Sequence, residues 1–138
     1  MAKLTDVRAQ GVSLYFLPVQ TRMPLKFGPE TLTSVTCVRV RMTVCDKNGH
    51  TAVGWGETPL SVQWVWPSTL SYRERHDALK DFCLALGEAW AAFEAWGHPI
   101  EVGKAFQDYA LAGGPGLLFG FRSGPARRLR HAPRPARL

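Results

Sequence analysis

The stretch VTCVRVRMTVCD-KNGH-TAVGWGE, residues 35–57, decides the fold. In its first part, apolar side chains at every second position from Val38 to Val44 predict a strand over Val35 to Asp46 with one buried face. Lys47-Asn48-Gly49-His50 predicts a hairpin turn, because Asn-Gly pairs readily supply positive φ angles. Thr51 to Glu57 then returns as the next strand.

The residues on either side of this hairpin complete an α+β fold. The alternation around Val12 to Phe16 predicts a first strand over residues 5–17 that ends at Pro18, so the sheet is expected to be a three-stranded antiparallel meander. A small set of helices should follow. Ser71 and Glu74 match a capping box, and the helix they open should end at Gly97. Its single apolar stripe comprises Leu79, Phe82, Cys83, Leu86, Trp90 and Phe93. A second helix is predicted over residues 100–111.

Two long connections separate these elements, Val19 to Thr33 and Thr58 to Leu70. Connections of this length in a small domain are often binding loops or lids. In the first, Arg22 and Lys26 either contact an anionic substrate or are simply solvated. In the second, Trp64 and Trp66 should point to the same side of an extended segment. They could stack on a sugar or a base, but the neighbouring apolar residues favour docking against another domain.

Charge divides the chain into two parts. The sequence has 17 Lys plus Arg and 11 Asp plus Glu, but residues 1–112 carry 11 of each sign. The excess therefore lies in residues 113–138, which hold six arginines and no acid, and which we predict to be a disordered basic tail. Such a tail can bind phosphates without sequence preference. It lacks interleaved aromatic residues, so nucleic acid is not the expected partner.

The sequence carries no catalytic motif. It lacks a phosphate-binding glycine loop, a nucleophile elbow, and metal-ligand spacings among its four histidines and three cysteines. We therefore predict no catalytic residue and no metal or cofactor in this chain. Neither a secretory signal nor an apolar run long enough for a membrane span is visible. Together with the odd number of cysteines, the lack of a visible signal predicts a cytoplasmic protein with reduced thiols.

The order of elements and several local motifs resemble the N-terminal capping domain of the enolase superfamily, in its mandelate racemase/muconate lactonizing enzyme branch. The resemblance rests on Arg22-Met23-Pro24-Leu25-Lys26-Phe27-Gly28, on Val38-Arg39-Val40 and on Gly54-Trp55-Gly56-Glu57-Thr58-Pro59-Leu60, and it covers residues 5–110. It implies that the two long connections close over the mouth of a catalytic barrel. It also implies that Arg22, Lys26, Phe27, Trp64 and Trp66 belong to these substrate-capping loops.

The resemblance further implies a parent enzyme, an isomerase or lyase, whose barrel binds Mg²⁺ and removes a proton α to the carboxylate of a small-molecule substrate. No barrel sequence follows residue 112 here. We therefore expect a truncated or frameshifted product with its junction in residues 111–125, inactive alone and prone to self-association through Trp64 and Trp66. Two alternatives remain open, a small nucleic-acid-binding module that uses the tail and a protein-interaction module that uses the tryptophan loop.

Overall fold

A computed structural model describes residues 3–28 and 30–113 and confirms the α+β class. The sheet has the order β1-β2-β3 with both neighbouring pairs antiparallel, and helices follow it in the chain. The elements are β1 (Val7–Phe27), β2 (Glu30–Asp46), β3 (Thr51–Pro59), α1 (Val62–Val65), α2 (Tyr72–Ala91) and α3 (Pro99–Leu111). The predicted tail lies outside the described residues from residue 114 onward.

The predicted turn between β2 and β3 is present, and Gly49 has a positive φ of 86°, but Asn48 does not, so only one of the positive φ angles expected of the Asn-Gly pair is adopted. The Asp46 carboxylate closes this turn by accepting hydrogen bonds from the backbone N–H groups of Asn48 and His50, each at 2.8 Å. Its other oxygen lies 2.9 Å from Nδ1 of His50. The His50 side chain, followed by these backbone bonds, holds the pKa of Asp46 below its ordinary value.

The prediction that Val19 to Thr33 form a long connection is wrong, because β1 continues to Phe27 and β2 already begins at Glu30. Pro18 does not end the strand, since β1 lies at the edge of the sheet. Pro18 pairs with Thr36 of β2, and the Thr36 carbonyl accepts a hydrogen bond from Leu60, on the β3 side of β2. Because the two backbone groups of a strand residue point to the same side, Thr36 forms no hydrogen bond with β1, so the missing N–H of Pro18 costs no bond between the strands. A bulge between Gln20 and Leu25 accommodates Pro24.

Helix α2 packs across β1. A Cβ added at Gly87 would lie 3.0 Å from Cδ1 of Leu14, so glycine permits this close approach of helix and strand. Further along, Nε2 of His76 lies 2.9 Å from Oγ1 of Thr36, and Nζ of Lys80 lies 5.2 Å from the centre of the Phe16 ring. The face of the sheet that carries Leu14 is therefore the one that α2 covers.

The Ser71–Glu74 capping box is confirmed, but α2 ends at Ala91 rather than at Gly97. Gly97 instead forms a bridge with Val7, with hydrogen bonds in both directions. The second predicted helix is confirmed as α3, and His98 caps it in front of Pro99. Four aromatic rings join α2 to α3, with contacts among Trp90, Phe93, Phe106 and Tyr109.

The second predicted connection contains the short helix α1. Cys37, Cys45 and Cys83 all carry free thiols, as their number and spacing predict. Burial raises the pKa of the Cys83 thiol. Within the described part of the chain, no helix has the length and apolar character needed to cross a membrane.

Candidate functional site

An apolar cavity of about 430 Å³, open to solvent, lies at the end of the sheet opposite the Asn-Gly turn. The distal parts of β1 and β2 form one wall, and the end of β3, the connection to α1 and α1 itself form the other. Both regions that the sequence identified as long connections therefore contribute to the same site. The described residues that line it are Thr21, Leu25, Leu32, Val35, Pro59, Ser61 and Trp64.

The wall from β1 and β2 depends on the bulge in β1. Four residues of β1 lie between Gln20 and Leu25, opposite a single residue of β2, which disrupts the regular ladder. Oγ1 of Thr21 bridges this gap, because it lies 3.0 Å from the carbonyl oxygen of Thr33 and 3.4 Å from that of Leu32. Leu32 itself is buried. The bulged hairpin is thus held together beside the cavity by side-chain as well as backbone bonds.

The opposite wall begins where β3 ends. The Leu60 N–H donates to the Thr36 carbonyl at 2.8 Å and extends the β2–β3 ladder by one pair. Val62 is completely buried and anchors α1, whose single turn is closed by bonds from the N–H groups of Trp64 and Val65 to the Ser61 carbonyl.

The expectation that Trp64 and Trp66 point to the same side is therefore wrong. It assumed an extended chain, whereas two positions along a helical turn differ in direction by about 200°. Trp64 lines the cavity with its side chain 72% exposed, while Trp66 follows α1 and is half-buried. A stacking platform formed by the two indoles is not present.

Arg75 of α2 joins the two walls. Its side chain is only 4% exposed. Nη2 lies 3.2 Å from Oε1 of Glu30, at the start of β2, and Nη1 donates to the Trp66 carbonyl at 3.1 Å. Nε completes the set with a longer bond of 3.4 Å to the Ser71 carbonyl. One buried guanidinium therefore connects the hairpin, the segment after α1 and the first turn of α2.

Two aromatic side chains of α2, those of Tyr72 and His76, lie near the bonds that Arg75 forms. The rings of Tyr72 and His76 stack with their centres 5.6 Å apart. Burial raises the pKa of Tyr72; the negative charge of Glu30 acts in the same direction, and the Arg75 charge opposes both. Tyr72 is thus a neutral phenol at physiological pH.

The sequence-predicted residues fall into three groups. Trp64 lines the cavity, and Trp66 contributes its carbonyl to Arg75. Arg22 and Lys26 are exposed on β1, outside the set of residues that line the cavity. Phe27 ends β1, and its side chain lies outside the described part of the structure.

Sequence reasoning missed Arg75, although a signal was present. Arg75 lies four residues before Leu79 and so extends the apolar stripe of α2 by one turn toward its N-terminus. A charged residue on the buried stripe of a helix needs a partner inside the fold. Glu30 could not be identified as that partner, because it lies 45 positions away in the chain.

The lining of the cavity suits the hydrocarbon part of a ligand, since only Thr21 and Ser61 bring a hydroxyl to it. Among residues 3–28 and 30–113, no group of three His, Cys, Asp or Glu side chains is arranged to hold a metal ion. Comparisons with protein-family models, curated proteins and solved structures found no match.

Proposed function

We propose that residues 1–112 form the substrate-capping domain of an enolase-superfamily enzyme of the mandelate racemase/muconate lactonizing type. The order of a three-stranded meander followed by helices supports this proposal. The observation that carries it is the shared cavity. Two segments separated in sequence, each expected from the resemblance to cap a substrate, meet at one end of the sheet around an apolar space.

In this proposal, the chain shapes the substrate pocket and takes no part in the proton transfer. Leu25, Leu32 and Trp64 provide an apolar wall for the carbon skeleton of the substrate. Arg22 and Lys26, exposed on the same strand as Leu25, add positive charge that favours a carboxylate. Arg75 keeps the two walls in register when the domain closes over its partner.

The metal and the base belong to the barrel in this scheme. The described residues do not fit Mg²⁺, which prefers several oxygen ligands from carboxylates and water, because they assemble no such group. In the proposal, a catalytic barrel supplies the carboxylates for the metal. The three free thiols are in keeping with a reducing compartment such as the cytoplasm, which is part of the proposal.

The test needs the coding sequence of the barrel, which is to be sought in the DNA that follows codon 112. The protein to be assayed is a fusion of residues 1–112 to that barrel. Exchange of the α-proton of a carboxylic acid is measured in D₂O with Mg²⁺ present. Trp64→Ala should lower kcat/KM by about tenfold, because the wall loses its largest apolar group. Trp96→Ala is the matched control and should leave kcat/KM unchanged.

Trp96 is suitable as a control because it lies at the opposite end of the sheet, near Arg8 and Lys47, and is 40% exposed. Equal effects of the two substitutions, or no effect of Trp64→Ala, would contradict a capping role for the cavity. A second candidate function, a protein-interaction module, is favoured by the exposure of Trp64 and Val65 on α1. It predicts that no barrel partner exists and that another protein covers α1.

A further inference from the structure

Strand β3 forms one edge of the sheet and is exposed at all nine positions. Helix α2 packs against β1, at the other side of the sheet, so neither face of β3 is covered by described residues. An exposed edge of this length presents a row of backbone hydrogen-bonding groups that another strand can use.

The hydrogen bonds at the two ends of the β2–β3 ladder show which groups point outward. The Asp46 N–H donates to the His50 carbonyl and the Leu60 N–H to the Thr36 carbonyl, and the register between them is unbroken. Bonded pairs alternate along an antiparallel ladder, so the even-numbered residues of β3 bond to β2. The odd-numbered ones, Thr51, Val53, Trp55 and Glu57, direct their N–H and C=O groups away from the sheet.

The two edges of the sheet differ in how they are protected. On β1, Pro18, Pro24 and two register shifts interrupt the edge, and Val7 is already bridged to Gly97. From Thr51 to Thr58, β3 has no proline, no basic residue and no bulge. Charges, prolines and bulges are the usual means by which proteins block strand addition.

The side chains of β3 also favour a partner. Trp55 is 60% exposed and Val53 45% exposed, and they lie on the face where the Tyr15 ring approaches that of Trp55, at 6.0 Å between centres. The one charged side chain, Glu57, is engaged by Nε of Arg39 at 2.6 Å. On the other face, Gly54 and Gly56 leave open space around the backbone.

We propose that the β3 edges of two copies of this chain pair antiparallel about a two-fold axis, forming a continuous six-stranded sheet. A second copy fits because a two-fold axis places the outward N–H groups of each β3 strand opposite the outward C=O groups of the other. Val53 and Trp55 of both copies then come together on one face. Residues 1–112 carry equal numbers of acidic and basic side chains, so the bodies do not repel one another by net charge.

The residues that direct their backbone groups outward, from Thr51 to Glu57, do not line the cavity and lie outside α1; Pro59, at the end of β3, is the residue of this strand that lines the cavity. One strand pair with a single aromatic cluster is smaller than the standard interface of about 1,600 Å². The dimer should therefore dissociate on dilution.

The experiment measures mass by sedimentation and amide hydrogen exchange by NMR over a concentration series of the full chain. A monomer–dimer equilibrium is expected, and the amides of Val53, Trp55 and Glu57 should gain protection as the concentration rises. Gly54 and Gly56 serve as internal controls, because they bond to β2 and should be protected at every concentration.

Val53→Lys should raise the dimer dissociation constant by about tenfold or more, since it places like charges near one another across the axis. Val53→Pro, which removes an outward N–H, provides a second variant. Ile100→Lys, at an exposed apolar residue of α3, is the matched control and should leave the equilibrium unchanged. Trp64→Ser tests the alternative contact through the tryptophan loop. A monomer at all concentrations would overturn the proposal, and so would a dimer that responds to Trp64→Ser but not to Val53→Lys. Protection in a monomer that is independent of concentration would show instead that another segment of the same chain covers the edge.

Discussion

At the scale of single residues, Arg75 has the largest consequence for the site. Its guanidinium is buried and binds Glu30, at the start of β2, and the Trp66 carbonyl, just after α1; β2 and α1 contribute to different walls of the cavity. Removal of Arg75 leaves the Trp66 carbonyl without its hydrogen-bond donor and opens a space inside the fold, while Glu30, whose side chain is 38% exposed, stays partly solvated. Arg75 therefore couples the stability of the domain to the geometry of the cavity.

We predict that Arg75→Ala lowers the free energy of unfolding by about 1–3 kcal/mol, mainly through the lost hydrogen bonds and packing of the buried side chain. Arg73→Ala is the matched control on the same helix. Arg73 is 90% exposed and lies 3.8 Å from Asp77, so its loss should cost about 0.5 kcal/mol or less. Denaturant titrations of both variants measure the difference. Similar values for the two variants would show that Arg75 is not a structural connection.

The sequence predicted the roles of single residues correctly where those roles depend on neighbours in the chain. Ser71, Glu74, Asn48 and Gly49 could be assigned because caps and turns depend on neighbours within four positions. Arg75 could not, because its partner Glu30 is distant in sequence. For Arg22 and Lys26, the sequence left solvation and substrate contact open, and their exposure is compatible with both.

At the scale of elements, the segment after β3 shows how one helical turn changes the site. As an extended segment it would direct both tryptophans to one side, but α1 gives them different environments. Val62 lies beneath the turn with no exposed surface. Four residues are too few for an apolar periodicity to appear in the sequence, so α1 could not have been predicted.

The two tryptophans should therefore respond differently to replacement. Trp64→Ser should change the free energy of unfolding by within about 0.5 kcal/mol, because most of its side chain is exposed. Trp66→Ser should cost about 1–3 kcal/mol, since it removes a half-buried aromatic side chain. Thermal and denaturant unfolding of both variants provide the comparison. A larger loss for Trp64→Ser than for Trp66→Ser would contradict the burial described here.

Strand β1 is the element for which the sequence was most misleading. Prolines usually interrupt strands, and here they suggested a loop from Val19 onward. On an edge strand, a proline whose nitrogen points away from the neighbour costs no ladder bond, and Pro18 has that position. Whether a strand lies at an edge is a property of the sheet, which periodicity within one strand does not reveal.

At the scale of the whole molecule, the described residues present two surfaces to which the proposals above assign a partner. One is the end of the sheet with the apolar cavity and Trp64, and the other is the edge formed by β3. In the proposed assembly, a catalytic barrel covers the first and a second copy covers the second. The two surfaces are separate, so each can be tested by a substitution that spares the other.

The hairpin could be predicted from residues 35–57, because alternation and an Asn-Gly turn fix neighbouring strands. The alternation around Val12 to Phe16 and the helical pattern after Ser71 extended it to the meander and the α+β class. The cavity could be predicted only in part. The two segments that form it were identified, but their meeting depends on the bulge at Gln20 to Leu25 and on Arg75. Both are long-range features that arise from packing.

The capping role is tested most directly by the DNA that follows codon 112 in the natural gene, translated in all three frames. If residues 1–112 form such a capping domain, one frame should encode a barrel with three carboxylates for Mg²⁺ and a Lys or His base. The absence of such a frame in the intact gene would contradict the proposal that this domain caps an enolase-superfamily barrel.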